Sequence, residues 1–287
     1  MSRLAKSTGE KIFEAINYIF LGVTGLIMLA PLVYVLLGSF SSLGLIGGFG
    51  SFSLDAYRFI LTTNQLVRAT GNSILITICG TATNMFFTTL TAYVLSKKTI
   101  PGRDIMMKFI VFFMLFSPGL IPNFLVVDMV GFMNTYWALW IPSAISAYNM
   151  IVMKNFFQSI PDSIEESAKM DGCNDLQVFI RIVLPLSKAS LATIGLFYAV
   201  GHWNNYFNAL VYLKDQYLWP IQVWLRQIVV LSVGGFSQYE NLSEFATVPS
   251  DSVKYAVIVV STVPIIIIYP FLQKYFTKGV MLGSVKG

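Results

Sequence analysis

Glu165-Glu166-Ser167-Ala168-Lys169-Met170-Asp171-Gly172, followed after nine residues by Ile182-Val183-Leu184-Pro185, decides how this chain is read. The stretch is polar and helix-forming, yet it lies between two long apolar runs. Pro161 marks a turn before it. Asp162-Ser163-Ile164-Glu165 has the spacing of a capping box, with Asp in the place of Ser or Thr. A helix is expected through about Asp171. Gly172 fits the position after the C-cap, where left-handed backbone is cheap only for glycine. Asn174 with Gln177 can cap a second helix that runs to Leu184 and is stopped by Pro185. Ile164, Ala168 and Met170 to Asp171 fall near one face, and small Ser167 beside them permits close approach by a partner. Asp171 sits where the helix dipole disfavours an anion by a few tenths to about 1 kcal/mol. That placement implies another task, such as bonding backbone N–H groups of the next helix. An amphipathic segment resting on lipid would set bulky apolar residues against a Lys/Arg face. This one is rich in acids and small residues, and it reads as a docking surface.

Outward from that segment the chain is apolar. Of its 287 residues 55% are hydrophobic and 11% charged, against about 25% charged in an average soluble domain. So few charges cannot clothe a globular surface in water. A spanning helix needs roughly 20 apolar residues, and six runs qualify: 14–37, 70–95, 104–127, 135–157, 186–213 and 251–274. The first is too long for a signal-peptide core and lacks a small-residue cleavage site, so it reads as a retained helix. The expectation is an all-α integral membrane protein with six transmembrane helices, one transmembrane domain over 1–287. Six crossings put both termini on one side. Fourteen of the nineteen Lys and Arg fall in the termini and in loops 96–108 and 154–188, against Arg58, Arg68, Lys214, Arg226 and Lys254 elsewhere. The positive-inside rule makes the first set cytoplasmic, and the docking segment with it. The outer loops 38–69 and 214–250 can each hold a short helix, the first beginning near Phe52-Ser53-Leu54-Asp55-Ala56-Tyr57.

Inside the fifth run lies Gly201-His202-Trp203-Asn204-Asn205-Tyr206-Phe207-Asn208. Asparagines in hydrocarbon are costly unless bonded, and polar intramembrane residues mark pathways. Trp and Tyr can stack on a sugar ring, and Asn amides match hydroxyls. On a continuous helix Trp203, Tyr206 and Phe207 lie together, and Asn204 and Asn208 stack one turn apart. Trp203, Asn204, Tyr206 and Asn208 are therefore candidate pathway residues, with Asn123 after Pro122 as a further one. The competing reading is helix–helix bonding by Asn and an aromatic belt. His202 reads as a packing residue. Of the span prolines, Pro118 and Pro122 are placed to bend the third run.

The residues Glu166-Ser167-Ala168, three residues, Gly172, nine residues, Ile182, one residue, Leu184-Pro185 resemble the "EAA" signature of ABC-importer permeases, with Ser167 for Ala as the departure. The likeness covers almost the whole chain. Ile121-Pro122, Asn155-Phe156-Phe157, Ile160-Pro161, Trp203-Asn204 and the ending Gly283-Ser284-Val285-Lys286-Gly287 look like the carbohydrate branch of maltose-system type, most of all permeases for complex oligosaccharides fed by a lipoprotein receptor. The resemblance implies a type I importer fold in a bacterial plasma membrane. It makes Glu165, Glu166, Ser167, Ala168, Asp171 and Gly172 the coupling residues that dock on a cytoplasmic ATPase dimer. It further implies a second homologous permease in a heterodimer, which in the maltose system supplies the sugar contacts. An extracellular solute-binding lipoprotein would deliver the sugar. A tail from Lys278 to Gly287 would reach the ATPase interface.

Other classes fit poorly. The chain has no Walker A pattern, so it cannot cradle ATP; ATP and Mg are expected on the partner ATPase, and no cofactor on this chain. A secondary transporter or channel would show ionisable residues within its spans, whereas Asp128, Asp251 and Lys254 lie at span ends. A serine hydrolase would need Gly-x-Ser-x-Gly, and His202 is the only histidine, so no catalytic residue and no metal site is expected. Cys79 and Cys173 form no framework. Basic residues are scattered through connectors, which excludes a nucleic-acid face.

Overall fold

The computed structural model describes residues 8–42, 51–116, 118–234 and 251–283. The tail motif after Gly283 and the stretch with Glu240 and Glu244 lie outside them. Among the described residues the chain is helical, with a single antiparallel bridge between Ser41 and Phe52. Two compact units are distinguished: residues 1–63 with 228–260, and residues 64–227 with 261–287.

In the first unit, α1 (Thr8–Ser39) is apolar along its length and almost wholly exposed, as a helix facing lipid or another subunit must be. The chain turns back at Ser41–Phe52 into α2 (Asp55–Thr62), whose Ala56 and Ile60 are buried. The ring of Phe40 stacks on Phe52 at 5.4 Å and meets Tyr57 at 5.1 Å, and Ser39 and Tyr57 share a 2.7 Å hydrogen bond. The expected short helix of this loop is thus present.

The second unit is built on α3 (Asn64–Ser96), which packs mainly against two later helices, α7 (Ala147–Gln158) and α11 (Lys188–Trp203). Its core includes Ala92, Leu95, Met150, Met153, Val183 and Ile194. Several polar groups along α3 are bonded across the bundle, as a lipid-covered core favours, while the Thr77 and Thr81 hydroxyls are buried without a partner. Tyr198 accepts from the Ser146 N–H at 3.0 Å and shares a 2.7 Å bond with Thr88. Asn84 donates to the Ser143 carbonyl, which leaves its Oδ1 to accept from His202 Nε2–H at 2.7 Å. A Cβ at Gly80 would lie 2.6 Å from that imidazole, so the ring occupies space only glycine leaves.

The apolar runs and the helices correspond unevenly. Runs 14–37, 70–95 and 251–274 lie within α1, α3 and α14 (Asp251–Gly283). The third run is divided into α4 (Arg103–Leu115) and α5 (Leu120–Met129), with Pro118 in the break and Gly119 at φ +82°. Pro122 instead sits in the first turn of α5, where a missing N–H costs nothing. The fourth is divided into α6 (Trp137–Trp140) and α7, around Pro142. The fifth is divided at 204–206 between α11 and α12 (Phe207–Tyr212). Among the described residues three helices are individually long and apolar enough to cross a membrane, and up to five if each bent pair is one span. The second outer loop contains α13 (Ile221–Gly234).

Candidate functional site

The polar segment folds as a hairpin of helices, as its spacing predicts, but its first cap differs. Pro161 occupies the N-cap with extended backbone, and Asp162 is the first helical residue of α8 (Asp162–Met170), so the expected Asp162/Glu165 box does not form. Glu165 turns inward instead and pairs with Lys97 at the end of α3. The far end of α8 behaves as expected. Gly172 has φ +87°, its N–H donates to the Lys169 carbonyl, and the Cys173 N–H donates to that of Ala168, both at 3.0 Å. These are the two bonds of a Schellman turn. Asn174 and Gln177 form the expected reciprocal box at 2.8 and 2.9 Å, starting α9 (Asp175–Val178).

The second helix is not stopped at Leu184. It widens into a π-helical turn over Phe179–Val183 and continues as α10 (Leu184–Leu186). The Leu184 N–H reaches back to the Phe179 carbonyl. That wider turn relieves the clash Pro185 would otherwise make with the preceding turn. The helix path then bends by 83° into α11 at Ser187.

Two faces result. Glu165 and Ala168 are buried against the bundle. Glu166, Ser167, Met170, Asp171 and Gly172 face outward, Met170 being 88% exposed. The Ser167 hydroxyl donates to the Ser163 carbonyl at 2.7 Å on its own helix. It therefore presents a small, spent surface, which is why Ser substitutes for Ala there. Among the described residues Asp171 makes no side-chain bond to the second helix; that link is supplied by Lys169 and Asp175, 2.7 Å apart. The contact raises the Lys169 pKa and lowers that of Asp175, in both cases chiefly through their mutual hydrogen bond.

The hairpin is fastened to the bundle by a charge pair and by packing: Glu165 meets Lys97, and Ala168, Val178, Phe179 and Val183 share a core with Tyr93, Met153 and Phe157. The Lys97 ammonium lies 4.7 Å from the centre of the Tyr93 ring, and Tyr93 packs on Phe179 at 4.8 Å and on Phe157 at 6.4 Å. Gln158 donates to the Ser96 carbonyl at 3.1 Å. The Lys97 and Glu165 side chains are 26% and 11% exposed. At that burial a pair resists loss of either partner, at a cost on the order of 3–5 kcal/mol when fully enclosed. A cleft of about 300 Å³ beside the pair is lined by Lys97, Lys98, Asp162, Glu165, Glu166 and Lys169. Nothing in the connector 96–108 distinguished Lys97 beforehand, because its partner is 68 residues away.

The pathway candidates separate. Trp203 is buried, and its indole N–H donates to the Ser261 carbonyl at 2.8 Å, so it anchors the helix. Asn204 caps α11 and is exposed; Asn205 Oδ1 accepts from the Asn208 N–H at 3.3 Å. The helix breaks between Asn204 and Asn208, so they do not stack one turn apart. Asn208 is exposed, and Tyr206 is half-buried with the Arg226 guanidinium carbon 5.3 Å from its ring centre. Asn123 is exposed on α5, whose next residue, Phe124, stacks on Tyr212 of α12 at 6.4 Å. Among the described residues no cluster of three His, Cys, Asp or Glu is placed to hold a metal.

Comparison with known proteins points one way. The family profile described as binding-protein-dependent transport system inner membrane component matches residues 84–282. The Bacillus subtilis (strain 168) polygalacturonan/rhamnogalacturonan transport system permease protein YtcP is 47% identical over 97% of this chain and 99% of its own. Protein LplC of the same organism is 45% identical over 96% of each. A crystal structure of a bacterial ABC transporter involved in the import of the acidic polysaccharide alginate contains a chain that superposes with a TM-score of 0.87, at 34% identity, covering 96% of this chain and all of that one.

Proposed function

Because the chain belongs to the family of binding-protein-dependent transport system inner membrane components, we propose that its hairpin 159–185 is the coupling element of an ATP-driven oligosaccharide importer. The chain is the permease subunit, and it is not itself the ATPase. The observation that carries the reading is the division of labour on α8. Glu165 and Ala168 fasten it inward, while Glu166, Ser167, Asp171 and Gly172 remain free on the outer face.

In this reading the outer face seats in a groove of a cytoplasmic ATPase dimer, which carries ATP and Mg. Closure of that dimer moves the hairpin, and the clasp to α3 passes the movement to the bundle. A second, homologous permease completes the pathway, and an extracellular binding lipoprotein supplies sugar. The basic connectors and both chain ends lie on the cytoplasmic side. Asn204, Tyr206, Asn208 and Asn123 border the sugar's path. The pectin-type relative and the alginate-importer neighbour make oligosaccharides that bear carboxylates the first class to test.

The test is reconstitution with ATPase, partner permease and binding protein in liposomes. Sugar uptake should require ATP, and cysteine placed at position 166 should crosslink to the ATPase in the assembled complex. Uptake without any ATPase, or crosslinks only from the opposite face, would overturn the reading.

A further inference from the structure

The sequence placed Arg226 in a connector and Tyr206 inside a span; the fold brings them together. The guanidinium carbon lies 5.3 Å from the Tyr206 ring centre. About 10 Å of helical rise separates Tyr206 from Leu213, where α12 ends. Arg226 is itself exposed, beside residues of the fifth apolar run. It stands at the break in that run, where Asn204 and Asn208 are exposed. Trp203 keeps the break in place through its bond to Ser261.

A guanidinium beside an apolar run calls for a countercharge or water. Among the described residues no carboxylate pairs with Arg226, whose recorded partner is the ring. The contact with the ring is a cation–π one, drawn by the guanidinium charge. The five N–H donors of the guanidinium form the fork that fits a carboxylate. Resting on the proposed importer role, we propose that Arg226, held by Tyr206, is a carboxylate-binding subsite that selects acidic oligosaccharides as they pass the break in the fifth run. Asn204 and Asn208 flank it as amide partners for ring hydroxyls. Tyr206 is a positioning residue.

The test uses the complete transporter in liposomes, with oligogalacturonides offered as free acids and as methyl esters of equal length. Wild type should carry the acid. In R226Q the ratio of acid to ester uptake should fall at least about tenfold, the size of one lost charge-assisted contact. R226K should restore part of it, and Tyr206→Phe, which keeps the ring, should stay nearer to wild type than Tyr206→Ala. If wild type carries the acid alone, acid uptake lost in R226Q and partly regained in R226K supports the subsite. An unchanged ratio, or R226K as poor as R226Q, overturns it. Wild type that carries esters but not acids also overturns it and leaves the importer reading standing. Wild type that carries no sugar at all with ATP present fails that reading, and the subsite with it. Assembly of each variant with its partner subunits, checked by size-exclusion chromatography, excludes misfolding as the cause.

Discussion

The two ends of the α3 bundle close by different means. At the Ser96 end the hairpin closes on itself through bonds that span three to five residues: the Schellman turn at Gly172, the box of Asn174 and Gln177, the Ser167 bond to Ser163. The finished hairpin is then fastened to the bundle by the Lys97–Glu165 pair and by Ala168, Val178, Phe179 and Val183 in the shared core. At the Asn64 end almost every tie reaches across the sequence. The Asn72 amide donates to the carbonyls of Tyr217 and Trp219 at 2.8 and 3.1 Å, and Ser73 accepts from the Ile221 N–H at 2.8 Å. Trp140 donates to the Ile76 carbonyl at 3.2 Å. A piece whose backbone is closed by its own turns can be displaced as a unit, carrying with it the core it packs into. A region whose irregular backbone is bonded to distant side chains moves only if those bonds are broken.

The sharpest way to break the contrast is Gly172→Pro. Proline cannot adopt φ +87°, and it removes the N–H that closes the turn. ATP-driven uptake should fall to background while the helices still insert; Glu166→Lys, which leaves the fold alone, should uncouple in the same assay. Normal uptake in both would remove the docking role.

Next in size is the clasp. Lys97→Ala should leave Glu165 unpaired against the bundle and cost up to about 3–5 kcal/mol of local stability. Hydrogen exchange in α8 should rise, and uptake should drop relative to ATP hydrolysis. Exchanging the charges, Lys97→Glu with Glu165→Lys, should recover part of both, which simple loss of packing would not allow.

At the other end, Asn72→Ala orphans two carbonyls and should cost roughly 1–3 kcal/mol. The effect should appear as a lower thermal midpoint with the ratio of uptake to hydrolysis unchanged. A change in that ratio would show that both ends serve coupling.

The smallest effect belongs to the exposed Lys169–Asp175 bond. The Asp175 pKa is lowered from 3.8, so its contribution is complete above that value and is lost as pH falls through the folded value. The Lys169 pKa is raised from 10.5, so its contribution is complete below that value and is lost as pH rises through the folded one. Protection of the Gly172 and Cys173 amides, corrected for intrinsic exchange, should be flat between roughly pH 4 and 10 and weaken outside that window. Asp175→Asn should abolish the acid limb.

Much of the hairpin was legible because its signals are short. Gly172 and the Asn174/Gln177 pair act on backbone groups within a turn, and no distant residue contradicts them. The misread cap shows the limit. Asp162 and Glu165 have suitable spacing, but Pro161 already supplies the extended backbone the cap needs, and Lys97 claims Glu165. The fifth run was harder for a related reason. The asparagines after Trp203 were read as polar residues on a continuous helix, because composition alone does not reveal that Asn205 caps the Asn208 N–H and that the indole is bonded to Ser261. Arg226 was invisible as a pathway residue because its partner belongs to another element.

The junction at Ser187 has one further consequence. Residues 175–186 form an arm of about 18 Å and α11 one of about 24 Å, joined through 83°. If the wide turn at Phe179–Val183 stays rigid, the junction works as a bell-crank. A thrust of an ångström or so on the short limb swings the far limb sideways by somewhat more, and that limb ends at Trp203, on the threshold of the broken helix. Under the proposed coupling role, straightening the corner should leave ATP hydrolysis intact while the far limb no longer follows it.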